Sequence, residues 1–295
     1  MILAQITDMH VMPEGELFSG LVPTNDMLAA AIGRINAVRP KVDAILATGD
    51  LTEHGSEAEY DALAKILEDA EAPVFLIPGN HDLPDALRAA FPGHAYLPAE
   101  GHLHYVIDEY AMRLIGLDTT RPGHPGGELC AERMDWLDAR LSEASDKPAL
   151  IFMHHPPFRT GIWWMDAIGL LGATAAEKIV ARHDVAAVVC GHIHRTIVRR
   201  WGGTVAQVGP STAHQVPLDL TGEEFLAVSR EPPGIAIHVW GDDIGFVSHT
   251  LHVADAQTFV PGYHGDADAM ANLRRYFEDA AAELEKDRKP ARLKA

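Results

Sequence analysis

Short apolar runs that end abruptly in polar residues recur through the first two thirds of the chain. One of them covers residues 44–48 and passes through Gly49 into Asp50. A run of this length predicts a buried parallel strand, and open α/β folds place their ligands at the carboxyl ends of such strands. Four other runs end in the same way, in residues of metal-binding types: 2–7, 74–78, 150–153 and 185–190.

Amphipathic stretches separate the early strands. Apolar positions at helical spacing predict a helix over residues 25–38. A second helix is predicted over 56–70, where Ser56 and Glu59 match a capping box. This alternation indicates an α/β fold with a parallel sheet covered on both faces. It continues less regularly, with strands predicted at 105–107, 113–117 and 149–153 and helices at 132–142 and 175–182.

The pattern changes after residue 196, where short strands and turns replace the helices. Gly202-Gly203 and Asp242-Asp243 predict two hairpins. Their strands are expected at 197–201, 203–208, 235–240 and 245–251. This antiparallel section suggests a second sheet rather than further βαβ units.

The same pattern divides the chain into two parts. We expect a catalytic domain over residues 1–255, in which about 210–233 form an irregular rim or cap excursion. Residues 256–295 are expected to form a C-terminal helical extension that ends in a basic tail. Apolar positions at helical spacing in this extension favour a helix packed on the body, with a partner-binding element as the alternative.

The polar residues at the five strand ends suggest two metal ions. Imidazole nitrogen together with carboxylate oxygen suits transition metals. Asp8 and His10 are two residues apart, as are His192 and His194, and we expect the period-2 geometry of a strand to point both members of each pair to one side. One allocation of ligands to the two ions, bridged by Asp50, is Asp8, His10, Asp50 and His194 for the first and Asp50, Asn80, His154 and His192 for the second.

Three further residues are expected to lie close to these ligands. His154 is preferred to His155 because it comes first off its strand, which leaves His155 behind the ligands. His81 follows the ligand Asn80 and is placed to contact a phosphate or to protonate a leaving group. Asp82 could orient His81 or another ligand as a hydrogen-bond acceptor.

Charge points to phosphate chemistry at this site. Two divalent cations against the Asp8 and Asp50 carboxylates leave a local formal charge of about +2 in a chain of net charge −18. In two-metal sites a bridging or terminal water is acidified toward neutral pH, and both ions stabilise the attacked phosphorus centre. Few Lys or Arg residues occur in the nearby loops, so a diester monoanion suits the site better than a monoester dianion.

The five strand ends resemble, in order, the motif set of the calcineurin-like metallophosphoesterases: Asp8-Met9-His10, Gly49-Asp50, Gly79-Asn80-His81-Asp82, His154-His155-Pro156-Pro157 and Gly191-His192-Ile193-His194. Up to about residue 215 the spacing is most similar to the class III cyclic nucleotide phosphodiesterases and the bacterial glycerophosphodiesterases. The resemblance implies a four-layer α/β/β/α sandwich with two β-sheets. It also implies a dinuclear Fe, Mn, Co or Zn centre with a bridging water or hydroxide, a phosphate-contacting or proton-donating His81, and His214 on the substrate side near the second metal.

We therefore expect metal-dependent hydrolysis of a small phosphodiester, such as a cyclic nucleotide or a glycerophosphodiester. The alternatives are a phosphomonoesterase and a non-catalytic scaffold of the same family that binds a protein partner. Protein phosphatases of the superfamily carry Asp-Arg-Gly after the Gly-Asp motif, whereas Gly49-Asp50 is followed here by Leu51-Thr52-Glu53. Specificity would come from rim segments, for which the candidates are residues 15–25, 160–171 and 211–225.

Composition limits the partners and the compartment. A net charge of −18 and a pI of about 5.3 disfavour long nucleic acid as a substrate. No apolar segment approaches the ~20 residues of a membrane span, and the N-terminus does not read as a signal peptide. Two cysteines give no disulfide framework, so we expect a cytoplasmic protein. Trp163 and Trp164 are expected to line either the site or an interface between subunits. We also expect the protein to be a homo-oligomer.

Overall fold

The computed structural model describes residues 1–143, 145–254 and 267–287. The strands within these ranges are β1 (Ile2–Ile6), β2 (Ala44–Thr48), β3 (Val74–Ile77), β4 (Tyr105–Ile107), β5 (Arg113–Leu117), β6 (Gly127–Glu128), β7 (Ala149–Met153), β8 (Leu170–Leu171), β9 (Val185–Cys190), β10 (Ile197–Trp201), β11 (Thr204–Val208), β12 (Gly234–Gly241) and β13 (Gly245–His252). The helices are α1 (Thr24–Asn36), α2 (Glu57–Leu67), α3 (Pro84–Ala90), α4 (Ala131–Ser142), α5 (Trp163–Ala167), α6 (Ala173–Val180) and α7 (Ala267–Asp287).

Two sheets contain most of the strands. The first has the order β13-β12-β1-β2-β3, and its strands β1, β2 and β3 run parallel. The second has the order β10-β11-β9-β7-β5-β4, with a parallel centre and an antiparallel strand at each edge. Strands β6 and β8 form a separate short parallel pair.

Alternation along the strands separates the layers. On β2, Ile45 and Ala47 pack with Leu28 of α1 and Leu63 of α2, on the outer face of the first sheet. The intervening Leu46 belongs to the core shared with the second sheet. Helices α4 and α6 pack on that second sheet through buried residues of their own. The predicted four-layer α/β/β/α sandwich is confirmed, as is the capping box of α2.

The antiparallel strands after residue 196 are distributed differently from the prediction. They do not form a sheet of their own. The β10–β11 hairpin extends the second sheet beside β9, whereas β12 and β13 return to the first sheet beside β1. Each hairpin was visible in the sequence because its turn is a local signal. The sheet that it joins depends on distant strand edges, which a local pattern does not report.

Contacts within the chain divide it into two compact units, Met1–Ala254 and Asp255–Ala295. Within the second unit, α7 exposes large apolar side chains that include Tyr276, Phe277 and Leu284. The predicted basic tail lies outside the described residues. Across the described ranges, none of the helices combines the length and the apolar character needed to cross a membrane.

A buried polar network connects the two sheets. The Nε2 of Gln5 donates to Thr48 Oγ1 at 2.9 Å and, across the sheet interface, to the Cys190 carbonyl at 2.8 Å. The Gln5 Oε1 must then be the acceptor for His238 Nε2, which lies 3.1 Å away. His238 Nδ1 is 2.8 Å from Ser248 Oγ. This arrangement suits a neutral imidazole, and burial lowers the pKa of His238 to about 3.

We predict that His238 makes folding sensitive to mild acid. Its native pKa is lowered, so its contribution to stability is present above the unfolded pKa of about 6.5 and is lost as the pH falls toward 3. Between pH 7 and 5 the contribution should fall by about 2 kcal/mol. Urea denaturation at pH 7 and pH 5 should show a smaller pH effect in His238→Gln than in the wild type. The exposed His249 provides the control, His249→Gln, and an unchanged pH effect in His238→Gln would contradict the prediction.

Candidate metal centre

The predicted ligands all follow strands of the two sheets and meet at their carboxyl ends. Asp8 and His10 follow β1, Asp50 follows β2, and Asn80 follows β3. The second sheet supplies His154 after β7, and His192 and His194 after β9. The structure thus brings all seven residues to one place, from segments up to 186 positions apart in the sequence.

The turns after the strands, rather than strand periodicity, make these side chains converge. Strand β1 ends at Ile6 and β9 at Cys190, so the paired residues lie beyond both strands and the expected period-2 explanation is wrong. Left-handed φ angles, which are uncommon outside glycine, redirect the chain at these positions. They are +51° at Asp8, +46° at His10, +47° at Asp50, +74° at His192 and +53° at His194.

Close packing holds these turns in place. The Asp8 N–H donates to the Gly49 carbonyl at 3.0 Å, and the His10 N–H donates to the Asp50 carbonyl at 3.0 Å. A Cβ at Gly49, whose φ is +90°, would collide with the His154 ring. The glycine of the Gly-Asp motif therefore gives space to a residue from the other sheet.

The donor atoms form two adjoining groups. In the first, His10 Nε2 lies 3.2 Å from His194 Nε2, which in turn lies 3.4 Å from Asp8 Oδ1. In the second, His154 Nε2 lies 3.2 Å from Asn80 Oδ1. Asp50 Oδ2 joins the groups, because it lies 3.8 Å from His10 Nε2 and 3.3 Å from His154 Nε2.

One ring nitrogen of each candidate histidine ligand is already held by an oxygen atom outside the group. The pairs are His10 Nδ1 with Glu53 Oε2 at 2.6 Å, His154 Nδ1 with the Thr48 carbonyl at 2.9 Å, His192 Nε2 with the Ile168 carbonyl at 3.1 Å, and His194 Nδ1 with the His214 carbonyl at 2.9 Å. Each of these nitrogens is placed to carry a hydrogen, so the other nitrogen offers a lone pair whenever the ring is neutral. Metal-bound histidines in proteins are oriented in this way.

The ionisation of the site also fits cation binding. Burial lowers the pKa of His10, His192 and His194, which keeps these rings neutral. Burial opposes the charged form of His154 as well, but the Asp50 carboxylate outweighs it and raises the pKa of His154 to about 9. Without a metal ion, His154 is therefore protonated at neutral pH, and its positive charge compensates the Asp50 carboxylate.

His155 differs from His154 in its hydrogen bonds. Its Nδ1 lies 2.8 Å from Thr119 Oγ1, and its Nε2 lies 3.1 Å from the Pro125 carbonyl, so both ring nitrogens face atoms outside the donor groups. His154 Nε2 instead faces Asn80 Oδ1 and Asp50 Oδ2. The ring packs edge-on against His154, with centroids 4.8 Å apart. Burial, followed by the charge on His154, lowers the pKa of His155 to about 3. This geometry favours His154 as the ligand and gives His155 a supporting position.

His81 and Asp82 occupy different parts of the turn after β3. The His81 N–H donates to Asp50 Oδ1 at 2.9 Å, and the His81 Nδ1 lies 2.8 Å from the Glu53 carbonyl, so the ring is anchored through Nδ1 at the edge of the donor groups. Burial opposes the charged form of His81, but Asp50 and Glu53 raise its pKa overall. Asp82 instead accepts the N–H groups of Leu51 and Gly79 at 3.0 and 2.8 Å and so fixes the turn.

His214 lies beside the first group of donors, not near the second as expected. Its ring centroid is 4.7 Å from that of His194 and 5.0 Å from that of His10. The reason is that its backbone carbonyl binds His194 Nδ1, which ties this part of the chain to the first group. The Phe18 ring stacks on His214 at 4.3 Å. Burial and the charge on His81 lower the pKa of His214 to about 4.

Sequence reasoning missed Glu53, whose carboxylate holds His10 and whose carbonyl holds His81. The only available signal was an acidic residue three positions after Asp50. Such a residue is common in a polar loop, so the signal was weak.

A cavity of about 270 Å³ opens onto the donors. His81 and His214 line it together with Asp50 and Asn80. Trp164 also lines it, whereas the neighbouring Trp163 is half exposed. Of the residues that the structure describes, neither a lysine nor an arginine is part of the lining.

Residues 1–196 match the family model described as calcineurin-like phosphoesterase. The chain belongs to this family. It is 33% identical over 266 residues to a probable glycerophosphodiester phosphodiesterase of Arcobacter nitrofigilis, covering 90% of this chain and 97% of that one. It is 38% identical to a probable cyclic nucleotide phosphodiesterase of Rhodopseudomonas palustris, with coverage of 78% and 85%. The 3',5'-cyclic adenosine monophosphate phosphodiesterase of Escherichia coli K12 is 31% identical, with coverage of 72% and 76%.

The fold is also found in solved structures of low sequence identity. A purple acid phosphatase from yellow lupin superposes with a TM-score of 0.61 at 16% identity, covering 88% of this chain and 52% of that one. The family model and the relatives confirm the resemblance inferred from the motifs. Family membership together with the His and Asp clusters makes this a site for divalent metal ions.

We predict that Glu53→Ala weakens the binding of Mn²⁺ about 10- to 100-fold, because His10 loses the acceptor that orients its ring. Glu53→Gln keeps an oxygen acceptor and should lose less affinity. Calorimetric titration of the metal-free protein with Mn²⁺ measures the effect. The exposed Glu57 provides the control, Glu57→Ala. An affinity in Glu53→Ala equal to that of the wild type would show that Glu53 does not support the site.

Proposed function

We propose that the protein hydrolyses a small phosphodiester at a centre of two metal ions, drawn from Fe, Mn, Co or Zn. The observation that carries this proposal is the position of the Asp50 carboxylate, between His10 of one donor group and His154 of the other. A single carboxylate oxygen within 4 Å of both groups suits a bridging ligand. The relatives are named as phosphodiesterases of glycerophosphodiesters and of cyclic nucleotides, which supports the substrate class.

The proposed ligands follow the two donor groups. Asp8, His10, Asp50 and His194 would hold one ion, and Asp50, Asn80, His154 and His192 the other. When bound, such a pair of ions would lower the pKa of a coordinated water and stabilise negative charge on the phosphate. The Asn80 amide oxygen fits this set because it adds a donor without adding negative charge.

His81 is proposed to act on the substrate rather than on a metal ion. Its Nδ1–H is held by the Glu53 carbonyl, and its side chain, 36% exposed, lines the cavity. The Nε2 atom is thus directed away from its anchor and available to a phosphate oxygen or a leaving oxygen. Asp82 is buried and accepts hydrogen bonds from three backbone N–H groups and from the Thr52 and Tyr60 hydroxyls, so it supports the turn and takes no direct part.

Electrostatics favours diesters over monoesters. With two divalent ions, the Asp8 and Asp50 carboxylates leave a formal charge of about +2, which one monoanionic diester and one hydroxide would neutralise. A monoester dianion calls for a further cation, yet the described residues that line the cavity include neither lysine nor arginine.

The full set of metal donors argues against a non-catalytic scaffold. A cytoplasmic homo-oligomer with a catalytic domain over 1–255 remains our prediction for the context of this activity.

We predict that the protein, loaded with Mn²⁺, has a higher kcat/KM for bis(p-nitrophenyl) phosphate than for p-nitrophenyl phosphate. Both substrates release p-nitrophenol, so the comparison at one pH isolates the effect of the second ester group. The same protein stripped of metal by a chelator is the control and should be inactive on both. A clear preference for the monoester would contradict the diester assignment, and turnover by the metal-free protein would contradict the metal mechanism.

A further inference from the structure

The cavity over the metal centre has an apolar part whose residues the proposed chemistry does not use. Helix α5 and the residue after it contribute Trp164, Met165 and Ile168 to the lining. The chain between β11 and β12 contributes Val216, Leu226 and Val228. Phe18 lines the cavity from the first loop. Every lining side chain from α5 and from residues 216–228 is apolar.

Residues 216–228 form a flap, which is fixed at its base. The Gln215 and Ser229 backbones exchange two hydrogen bonds, at 2.9 and 2.7 Å, on either side of the flap. Arg195 Nη1 donates to the Val216 carbonyl at 2.7 Å and so anchors the first residue. The flap therefore leaves and rejoins the body at one point.

The far part of the flap packs on α5. The Phe225 ring stacks on Trp163, with centroids 5.6 Å apart and planes inclined by 16°. Gly222 lies so close to the Trp163 indole that a Cβ at this position would collide with the ring. Within the flap, Asp219 accepts hydrogen bonds from the Thr221 and Glu224 N–H groups at 2.7 and 2.8 Å. These contacts hold the flap against α5 beside the cavity.

Apolar side chains at the mouth of this cavity remain accessible to water. Leu226 is 65% exposed and Val228 is 48% exposed, although both line the cavity. Leu226 also has a φ of +56°, a conformation that leucine rarely adopts. Exposed apolar surface that borders a ligand cavity is typical of a binding site. A ligand that covers these side chains would gain the free energy of removing them from water.

Few polar groups are available to an ester group on this side of the cavity. The Ile168 carbonyl is occupied by His192, and the Val216 carbonyl by Arg195. Free polar atoms lie instead on the metal side of the cavity, where Glu53 uses only its Oε2 atom to hold His10 and the His214 Nδ1 atom has no hydrogen-bond partner among the described residues. Hydroxyl groups of a glycerol ester would lose water between α5 and the flap without gaining matching partners, which is unfavourable.

From the apolar lining that α5 and the flap contribute, we propose that the physiological diester carries an apolar ester group, which binds between α5 and the flap while the phosphate lies at the metal ions. This proposal rests on the proposed function and narrows it. The preferred substrates are alkyl or aryl diesters, and diesters of polyols such as glycerol are hydrolysed less efficiently. Leu226 and Trp164 are the specificity-determining residues.

The test compares three p-nitrophenyl diesters whose second ester group is methyl, propyl or 2,3-dihydroxypropyl, using full-length protein loaded with Mn²⁺. All three share the leaving group and the charge, and the last two have the same number of carbons. We expect kcat/KM to rise by up to about fourfold for each methylene from methyl to propyl. We expect the propyl ester to exceed the dihydroxypropyl ester by about tenfold or more. Equal rates, or faster hydrolysis of the dihydroxypropyl ester, would overturn the proposal.

Substitutions locate the effect in the flap. Leu226→Ser should lower the ratio of propyl to dihydroxypropyl kcat/KM by about threefold or more, and Leu226→Met should restore it. Val198→Ser is the matched control, because Val198 is 62% exposed and does not line the cavity. A ratio that falls equally in Val198→Ser, or that is unchanged in Leu226→Ser, would overturn the assignment to the flap.

The failure of this proposal can be distinguished from the failure of the proposed function. If none of the three diesters is hydrolysed, the phosphodiesterase assignment is contradicted, and binding then decides the present proposal. Calorimetry of the Mn²⁺-loaded protein with dipropyl phosphate and with bis(2,3-dihydroxypropyl) phosphate gives that answer. Tighter binding of dipropyl phosphate, with a negative heat-capacity change, supports the apolar subsite. Equal or weaker binding overturns it.

Discussion

The site depends on the need to compensate a buried carboxylate. Asp50 is 2% exposed, and an ion moved out of water into such surroundings loses several kcal/mol of solvation. Burial alone would raise the pKa of Asp50, but His154 and the other histidines around it hold that pKa well below its ordinary value. The His81 N–H supplies one hydrogen bond. The remaining compensation must be cationic, and neutral histidines with inward lone pairs are suited to hold the cations that supply it.

The same requirement explains why backbone strain is tolerated here. Each non-glycine residue in the left-handed region is unfavourable by about 1–3 kcal/mol and persists only when its surroundings fix it. Five of the seven proposed ligands adopt this conformation. They are fixed by hydrogen bonds between sheets, such as those from the His192 N–H to both oxygens of Asp8 at 2.9 and 3.1 Å. The two sheets therefore share the site, and neither could form it alone.

The features of the fold and of the site that could be predicted from the sequence are those with local signals. Apolar runs located the strands, and the residue types at their ends identified the candidate ligands that the structure brings together. The capping box of α2 and the two hairpin turns are likewise local. Other features depend on contacts between distant segments. Examples are the return of β12 to the first sheet, the link from Glu53 to His10, the position of His214 beside the first donor group, and the packing of Gly222 on Trp163. Nothing in the sequence around these residues specifies the partner.

The bridging role of Asp50 is the central claim, and metal stoichiometry tests it most directly. After equilibration of the metal-free protein with Mn²⁺ and removal of free metal, elemental analysis should find two ions per chain in the wild type. Asn80→Ala should retain about one ion, because it loses a ligand of one group only. Asp50→Ala should retain fewer than one, because both groups lose a ligand. Two ions per chain in Asp50→Ala would contradict the claim that one carboxylate serves both ions.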